Sequence, residues 1–367
     1  MISSFVSRSK GPEYSQLNYI ANLYKQFSEK TGSVQIPEIL PAVNGQHGFV
    51  IGPFEIVRKV GKGTVCRVMK VNPFGDVGAL IPDLDLEAGL VLKLAKTDSL
   101  QKEEHRDWIK SLIFREGEIH SQLKGSAFTS EILDYGSICG RPFILERYIN
   151  GINLRHANEV GIFPSPKETI AILIQVLEAL KAPHLSKIIH RDIKTDNILL
   201  DTINGHIRLI DWGSAFHPKA SNSFNPNGEP KKNKDDFKGA AALKFMAPEQ
   251  LDDTSPSTPA MDIYSAFATA FFLIAQGESL LNGKNREELE HALLAGEKFD
   301  EQKLAVVPRR YQTLFLQSLA FNPAERAQSV SKLQKVLRKL LVQDPDQIVR
   351  EFIKNALFDW EQKKQSL

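Results

Sequence analysis

Asp192 stands in the stretch HRDIKTDNILLD, His190 to Asp201, where carboxylates, cations and an amide crowd together before an apolar run. A polar turn leading into a buried strand is one reading of that stretch. The other is chemical: Asp192 could orient an attacking hydroxyl and accept its proton, and Asn197 could hold a metal ion beside it. A second carboxylate, Asp211 in RLIDWGSA, closes another β-like run and is followed by an aromatic residue and glycine. Mg²⁺ keeps several waters and takes only one or two carboxylates besides a substrate's phosphates. Asn197 and Asp211 meet that demand without a dense acidic cage.

Two further stretches carry chemistry. GKGTVCRV, Gly61 to Val68, lies between strand-like runs, where glycines let the backbone approach a phosphate chain and present N–H groups to it. A hairpin turn would use the same Gly-Lys-Gly. Lys93 in VLKLAK is a cation within an apolar strand, and buried lysines are rare unless paired. Either it points to solvent from an edge strand or it finds a carboxylate or phosphate. Glu116, on a following helix whose buried stripe is expected to be Leu112, Ile119 and Leu123, is the candidate partner.

The elements that must position these groups follow from pattern. FEIVRKV, VCRVMKV, GLVLKLAK, EILDYG and RPFILERYI are short β-branched runs that suggest an antiparallel sheet. Residues 101–123 between them are helical. Beyond Gly151, KETIAILIQVLEALKAPH and residues 261–276, 286–295, 309–320 and 329–342 read as helices. Strands first and helices later indicate an α+β chain with a small sheet-rich lobe and a larger helical one, with a ligand cleft between them. At 367 residues, two lobes are the default expectation. The net charge of +2 gives no drive toward nucleic acid. Two cysteines, Cys66 and Cys139, make neither a disulfide framework nor a structural zinc site. No signal-peptide core is visible, and the most apolar run, Ile263 to Ala275, is too short to span a bilayer. A cytoplasmic protein without a membrane span is expected.

Taken together and in order, these motifs resemble those of eukaryotic-type (Hanks-type) serine/threonine protein kinases. GKGTVCRV is similar to the glycine-rich loop, VLKLAK to the strand of the ATP-contacting lysine, and HRDIKTDN to the catalytic loop. DWG is similar to the metal-binding triplet and MAPEQL to the end of the activation segment. Glu116 matches the helix glutamate that pairs with the lysine. Asp262 and Arg326 match structural positions of the helical lobe, Arg326 as the partner of Glu249. The likeness covers roughly residues 53–342. It implies a bilobal protein-kinase-like fold: an N-terminal extension with a short helix and linker over 1–52, an N-lobe over 53–147, a C-lobe over 148–342 and a helical tail over 343–367.

The resemblance also implies transfer of the γ-phosphate of ATP to protein serine or threonine hydroxyls, with autophosphorylation. Asp192, Lys194, Lys93 and Glu116 are then the catalytic group, and Asn197 and Asp211 the Mg²⁺ ligands. Gly61, Lys62, Gly63, Val68, Val91, Lys93, Glu146, Arg147 and Tyr148 line the ATP site. Lysine two residues after the catalytic aspartate favours serine/threonine over tyrosine.

Several residues depart from the family pattern. Cys66 replaces the third loop glycine, and Val91 stands where alanine is usual. Glu146, or Leu145 if the register slips by one, occupies the apolar position gating the back of the ATP pocket. His120 replaces a leucine of the hydrophobic spine and needs a hydrogen-bond partner if buried. The segment from Asp211 to Glu249 contains no threonine, and Ala241-Ala242 stands where Gly-Thr is usual. Phosphorylation at Ser221 or Ser223 would order it through Arg191, with Glu229, Asp235 and Asp236 as acidic substitutes. Competing readings are a pseudokinase scaffold and a small-molecule kinase of the aminoglycoside or choline type, which the Ile210-Asp211-Trp212 sequence also fits. At the flanks, residues 14–27 and 346–362 have helical spacing. Either helix docks on the chain's own body or offers a surface to a regulatory partner.

Overall fold

Leu90, Leu92 and Leu94 alternate with Val91 and Lys93, and this two-residue period assigns each side chain to one face of a sheet. The computed structural model describes residues 40–41, 49–51, 54–62, 65–73, 88–96, 103–123, 125–138, 141–219, 240–252, 255–283, 285–294 and 302–365. The chain divides into two compact units, residues up to 124 with 130–149, and residues 125–129 with 150 onward.

The first unit is built on a seven-stranded sheet. Its strands are β1 (Leu40–Pro41), β2 (Phe49–Ile51), β3 (Phe54–Lys62), β4 (Cys66–Pro73), β5 (Leu90–Ala95), β6 (Ile132–Ile138) and β7 (Arg141–Arg147), in the order β1-β2-β3-β4-β5-β7-β6. Neighbouring strands are antiparallel throughout. β1 and β2 lie in the stretch that the sequence reading leaves as extension and linker; β2 joins the sheet through Phe49↔Ile56 and Ile51↔Phe54. One face buries Phe54, Met69, Val71, Leu90, Leu92, Leu94, Phe143 and Leu145 in a single cluster.

The opposite face receives α1 (Glu103–Ser121), whose Ile109 and Ile113 pack with Ala95, Ile132 and Ile144. The inner stripe of this helix differs from the expected one. Leu112 is only half-buried, while Ile109, Ile113, Glu116, Ile119 and His120 are buried, with Leu123 just past the helix end. Glu116 and His120 need polar partners once out of water, and those partners lie on the sheet side. The helix is therefore turned to bring them inward. Gly117 permits the approach: a Cβ there would fall 2.3 Å from the Tyr135 ring on β6. Glycine costs a helix interior roughly 1 kcal/mol relative to alanine, and here it gives the ring its place.

The second unit is mainly helical. α2 (Leu154–Glu159), α3 (Pro166–Ala179), α4 (Lys181–Leu185), α5 (Ala240–Leu243), α6 (Pro259–Ile274), α7 (Arg286–Leu294), α8 (Arg309–Ser318), α9 (Val330–Leu341) and α10 (Pro345–Gln365) surround a small antiparallel sheet. That sheet contains β8 (Gly151–Asn153), β9 (Ile198–Asp201) and β10 (His206–Leu209). α3 starts with Pro166 in its first turn and a reciprocal capping box between Ser165 and Glu168. Nearly all of α6 is buried, as its composition requires. No helix among the described residues is long and apolar enough to cross a membrane. α10 docks on α3, with Ile348, Val349, Phe352, Ile353 and Ala356 buried. The tail helix thus uses its apolar stripe within its own unit. Gln175 of α3 ties the join, accepting from Ile207 N and donating to Asp346.

Candidate active site

The β9–β10 hairpin accounts for the meeting of two distant motifs. Its register pairs Ile198 with Leu209, so the residues flanking that pair, Asn197 and Ile210, are neighbours, and Ile210 N donates to Asn197 O at 2.9 Å. Asp201 fixes the turn by accepting from Ile203 N and Asn204 N and pairing with Arg208. The end of HRDIKTDN and the start of DWG are thereby held side by side.

Within the loop, Lys194 Nζ contacts both Asp192 carboxylate oxygens at 2.9 and 3.0 Å. Asn197 Nδ2 donates to Asp192 O at 2.7 Å and to Asp192 Oδ2 at 2.8 Å. Both of these bonds use the amide nitrogen, so Oδ1 is the Asn197 atom suited to a hard cation.

The loop backbone is anchored from below. Asp262, fully buried on α6, accepts from His190 N at 2.9 Å, Arg191 N at 2.8 Å and the His184 ring at 2.8 Å. Burial would raise its pKa, but His184, His190 and the Arg191 N–H outweigh it and hold the carboxyl below the ordinary value. Gln250 grips the other side of Arg191 by donating to its carbonyl at 3.0 Å. Arg191 and Asp211 both have φ of 65°, a left-handed conformation that non-glycine residues rarely adopt. Asp196, in the same loop, pairs with Arg155 of α2 at 2.9 Å.

His190 links the two motifs through a single tautomer. Its Nδ1 accepts from Asp192 N, and its Nε2 donates to the Ile210 carbonyl at 3.2 Å. A ring that accepts at one nitrogen and donates at the other is neutral. Burial is the main reason that its pKa lies below the ordinary value, overriding the pull of Asp262, Asp192 and Asp211. The ring also packs against buried Trp212 at 4.5 Å between centroids.

The first unit holds a different constellation. Lys93 of β5 lies 2.6 Å from Glu116 Oε1 on α1 and 2.9 Å from Glu146 Oε1 on β7. Of the two candidates at the gating position, Glu146 is the one on the Lys93 face; Leu145 packs in the apolar cluster on the other. His120 Nε2 donates to Ser130 O at 2.8 Å, and its Nδ1 lies 3.7 Å from Glu146 Oε1. Burial would raise the Glu146 pKa, yet Lys93 and His120, with hydrogen bonds from Lys93 and Ser130, hold it below the ordinary value.

The remaining sequence-derived residues are scattered around this group. Val68 lies opposite Lys93, and Val91 opposite Glu146. Gly61 pairs with Val68, and Lys62 ends β3. Arg147 and Tyr148 are engaged elsewhere: Arg147 pairs with Glu131 at 2.6 Å, while Tyr148 accepts from Arg58 and donates its N–H to Gly89 O. Gly63, Cys139, residues 14–27, Ser221, Ser223, Glu229, Asp235 and Asp236 lie outside the described residues.

A model of the protein kinase domain matches residues 54–350. The chain belongs to the protein kinase family. The kinase domain is 27% identical to the probable serine/threonine-protein kinase pknA2 of Bifidobacterium longum, over 61% of this chain and 26% of that protein. It is 23% identical to the serine/threonine-protein kinase PrkC of Bacillus subtilis, over 78% of this chain and 40% of that protein. It is 29% identical to PknL of Mycobacterium tuberculosis, over 53% of this chain and 46% of that protein. The chain thus spans less than half the length of these relatives. The Arg326–Glu249 pair of the domain is bidentate and buried, at 2.7 and 2.9 Å. Sequence reasoning did not find His184, Gln250, Arg155 or Ser130, because each acts across a distance at which local pattern carries no signal.

Proposed function

We propose that this chain transfers the γ-phosphate of ATP to serine and threonine hydroxyls of protein substrates. The observation that carries the reading is the Asp192 carboxylate, held by Lys194 and Asn197 in a loop whose backbone is tied to Asp262. In this reading Asp192 orients the substrate hydroxyl and accepts its proton as the oxygen attacks phosphorus. Lys194, already on that carboxylate, stabilises charge on the transferring group. Lys93 contacts the α- and β-phosphates, and Gly61 and its neighbours present backbone N–H groups to the phosphate chain. Val68 and Val91 supply apolar walls for the adenine.

Asn197 Oδ1 and Asp211 would hold Mg²⁺, which supplies charge neutralisation on the phosphates. Neutral His190 fixes the spacing of Asp192 from Asp211 through its two hydrogen bonds. Lys194 and the names of the relatives both favour serine/threonine over tyrosine acceptors.

Incubation of purified protein with labelled ATP and Mg²⁺, followed by phosphosite mapping on the chain and on a peptide library, tests the reading. The expected result is phosphoserine and phosphothreonine, abolished in Asp192→Asn. Nucleotide binding without any transfer would replace it with the pseudokinase reading. Transfer to an aminoglycoside or choline, with peptides untouched, would replace it with the small-molecule one.

A further inference from the structure

Two carboxylates among the described residues lie within ion-pair distance of Lys93, and they come from different kinds of support. Glu116 reaches it from α1, a helix that packs on the sheet through side chains alone. Glu146 reaches it from β7, which is hydrogen-bonded directly to β5 with Lys93 opposite Ile144 and Val91 opposite Glu146. On antiparallel neighbours this makes Glu146 the diagonal partner of Lys93 on the same face, within reach of a long side chain. Glu146 is almost fully buried, and the His120 ring, itself fixed to the Ser130 carbonyl, lies 3.7 Å from the same Oε1 that meets Lys93. A buried carboxylate needs such partners, because an isolated one would be strongly disfavoured.

We propose that Glu146 is a positioning residue for Lys93, a second anchor carried by the sheet itself, so that Lys93 stays in place without its pair to α1. The inference rests on the reading of Lys93 as the phosphate-contacting lysine. An ammonium has three N–H donors. Glu116 accepts from one of them at 2.6 Å, and Glu146 Oε1 lies 2.9 Å from the same nitrogen as an ion pair. Where a kinase relies on the strand-lysine to helix-glutamate pair alone, loss of the helix partner releases the lysine. Here loss of Glu116 leaves the 2.9 Å contact to Glu146 in place. His120 and Ser130 act at one remove, by keeping Glu146 turned toward β5.

The test compares Glu116→Gln, Glu146→Gln and the double variant in the full chain. Its first readout needs no activity: the rate at which Lys93 is acylated by an amine-reactive ester, followed by peptide mass spectrometry without nucleotide. Each single variant should accelerate acylation, and the double should exceed both. In kinetics, each single variant should raise the KM for ATP more than it lowers kcat. The double should fall at least about threefold below the product of the single effects, as residues sharing one partner do.

Acylation in Glu146→Gln equal to that of the parent, or a double variant indistinguishable from Glu116→Gln, would overturn the proposal. If Glu146→Gln does not fold, Lys93→Met supplies the alternative arm. It should lower the melting temperature by taking the cation away from buried Glu146, and Glu146→Gln added to it should restore stability; no restoration counts against the anchor. A parent chain that transfers no phosphate defeats the kinase reading, while the acylation and melting arms still decide whether Glu146 holds Lys93.

Discussion

Lys93 sits on a regular strand and meets its partners by side chain alone, whereas Asp192 sits in an irregular loop tied through its backbone at residue after residue. In the first unit, β5, β7 and α1 would form without the charges, since apolar alternation and an inward stripe specify them. The charges only need to be brought within reach. In the second unit the loop has only one short 3₁₀ turn, Thr195–Asn197, of its own, and Arg191 within the loop stands at positive φ. Asp262 and Gln250 hold its backbone from two other elements, and His190 within it ties it to the Ile210 carbonyl. A site on regular structure should therefore lose partners one at a time, while the loop should fail as a unit.

The largest effect is expected at the loop's reactive group. Asp192→Ala should lower turnover by about 10²- to 10⁴-fold, measured with a peptide acceptor at saturating ATP. Full activity in that variant would remove Asp192 from the chemistry and end the comparison. Next comes the loop's anchor. Asp262→Ala strands two backbone N–H groups and the His184 ring, and should cost about 3–5 kcal/mol in denaturant unfolding. A loss below ~1 kcal/mol would mean that the loop is not held from α6.

On the helix side the expected damage is smaller. Gly117→Ala drives a methyl into the Tyr135 ring and should cost about 1–3 kcal/mol by overpacking. Tyr135→Ala in the same background should recover most of that, and an unchanged melting curve in Gly117→Ala would refute the close approach.

The mildest probe is acid. The His190 pKa lies below its ordinary 6.5, so as pH falls through that value the unfolded chain binds a proton that the native loop refuses, and stability declines. Asp262 and Glu146 lie below their ordinary 3.8 and 4.5. Their contribution is complete above those values and is lost as pH falls toward the native ones. Unfolding midpoints measured from about pH 8 down to about pH 3 should show an upper limb that His190→Gln flattens and a lower limb that it shrinks but does not abolish, since His190 is only one of the groups holding Asp262 down.

Much of this was legible in the sequence. The apolar run around Lys93 in VLKLAK, the helical pattern of KETIAILIQVLEALKAPH and the ordered motifs indicated a sheet-rich and a helical part and singled out Lys93, Asp192, Asn197 and Asp211 as candidates. The inner stripe of α1 was misjudged because Leu112 looked like core and His120 like an exception. The helix turns instead to satisfy buried polar groups, and that demand is set by residues on strands elsewhere in the chain. β8, β9 and β10 went unread as a sheet for a similar reason. Strands of three or four residues carry too few alternations to register, and β8 is paired by residues some fifty positions away.

α10 has a practical bearing. The family match stops at Arg350, inside a helix that runs to Gln365. A chain shortened at that edge would lose the buried Phe352, Ile353 and Ala356 and part of the helix that packs on α3. Aggregation of such a truncated protein would then reflect a severed helix rather than any defect in phosphate chemistry.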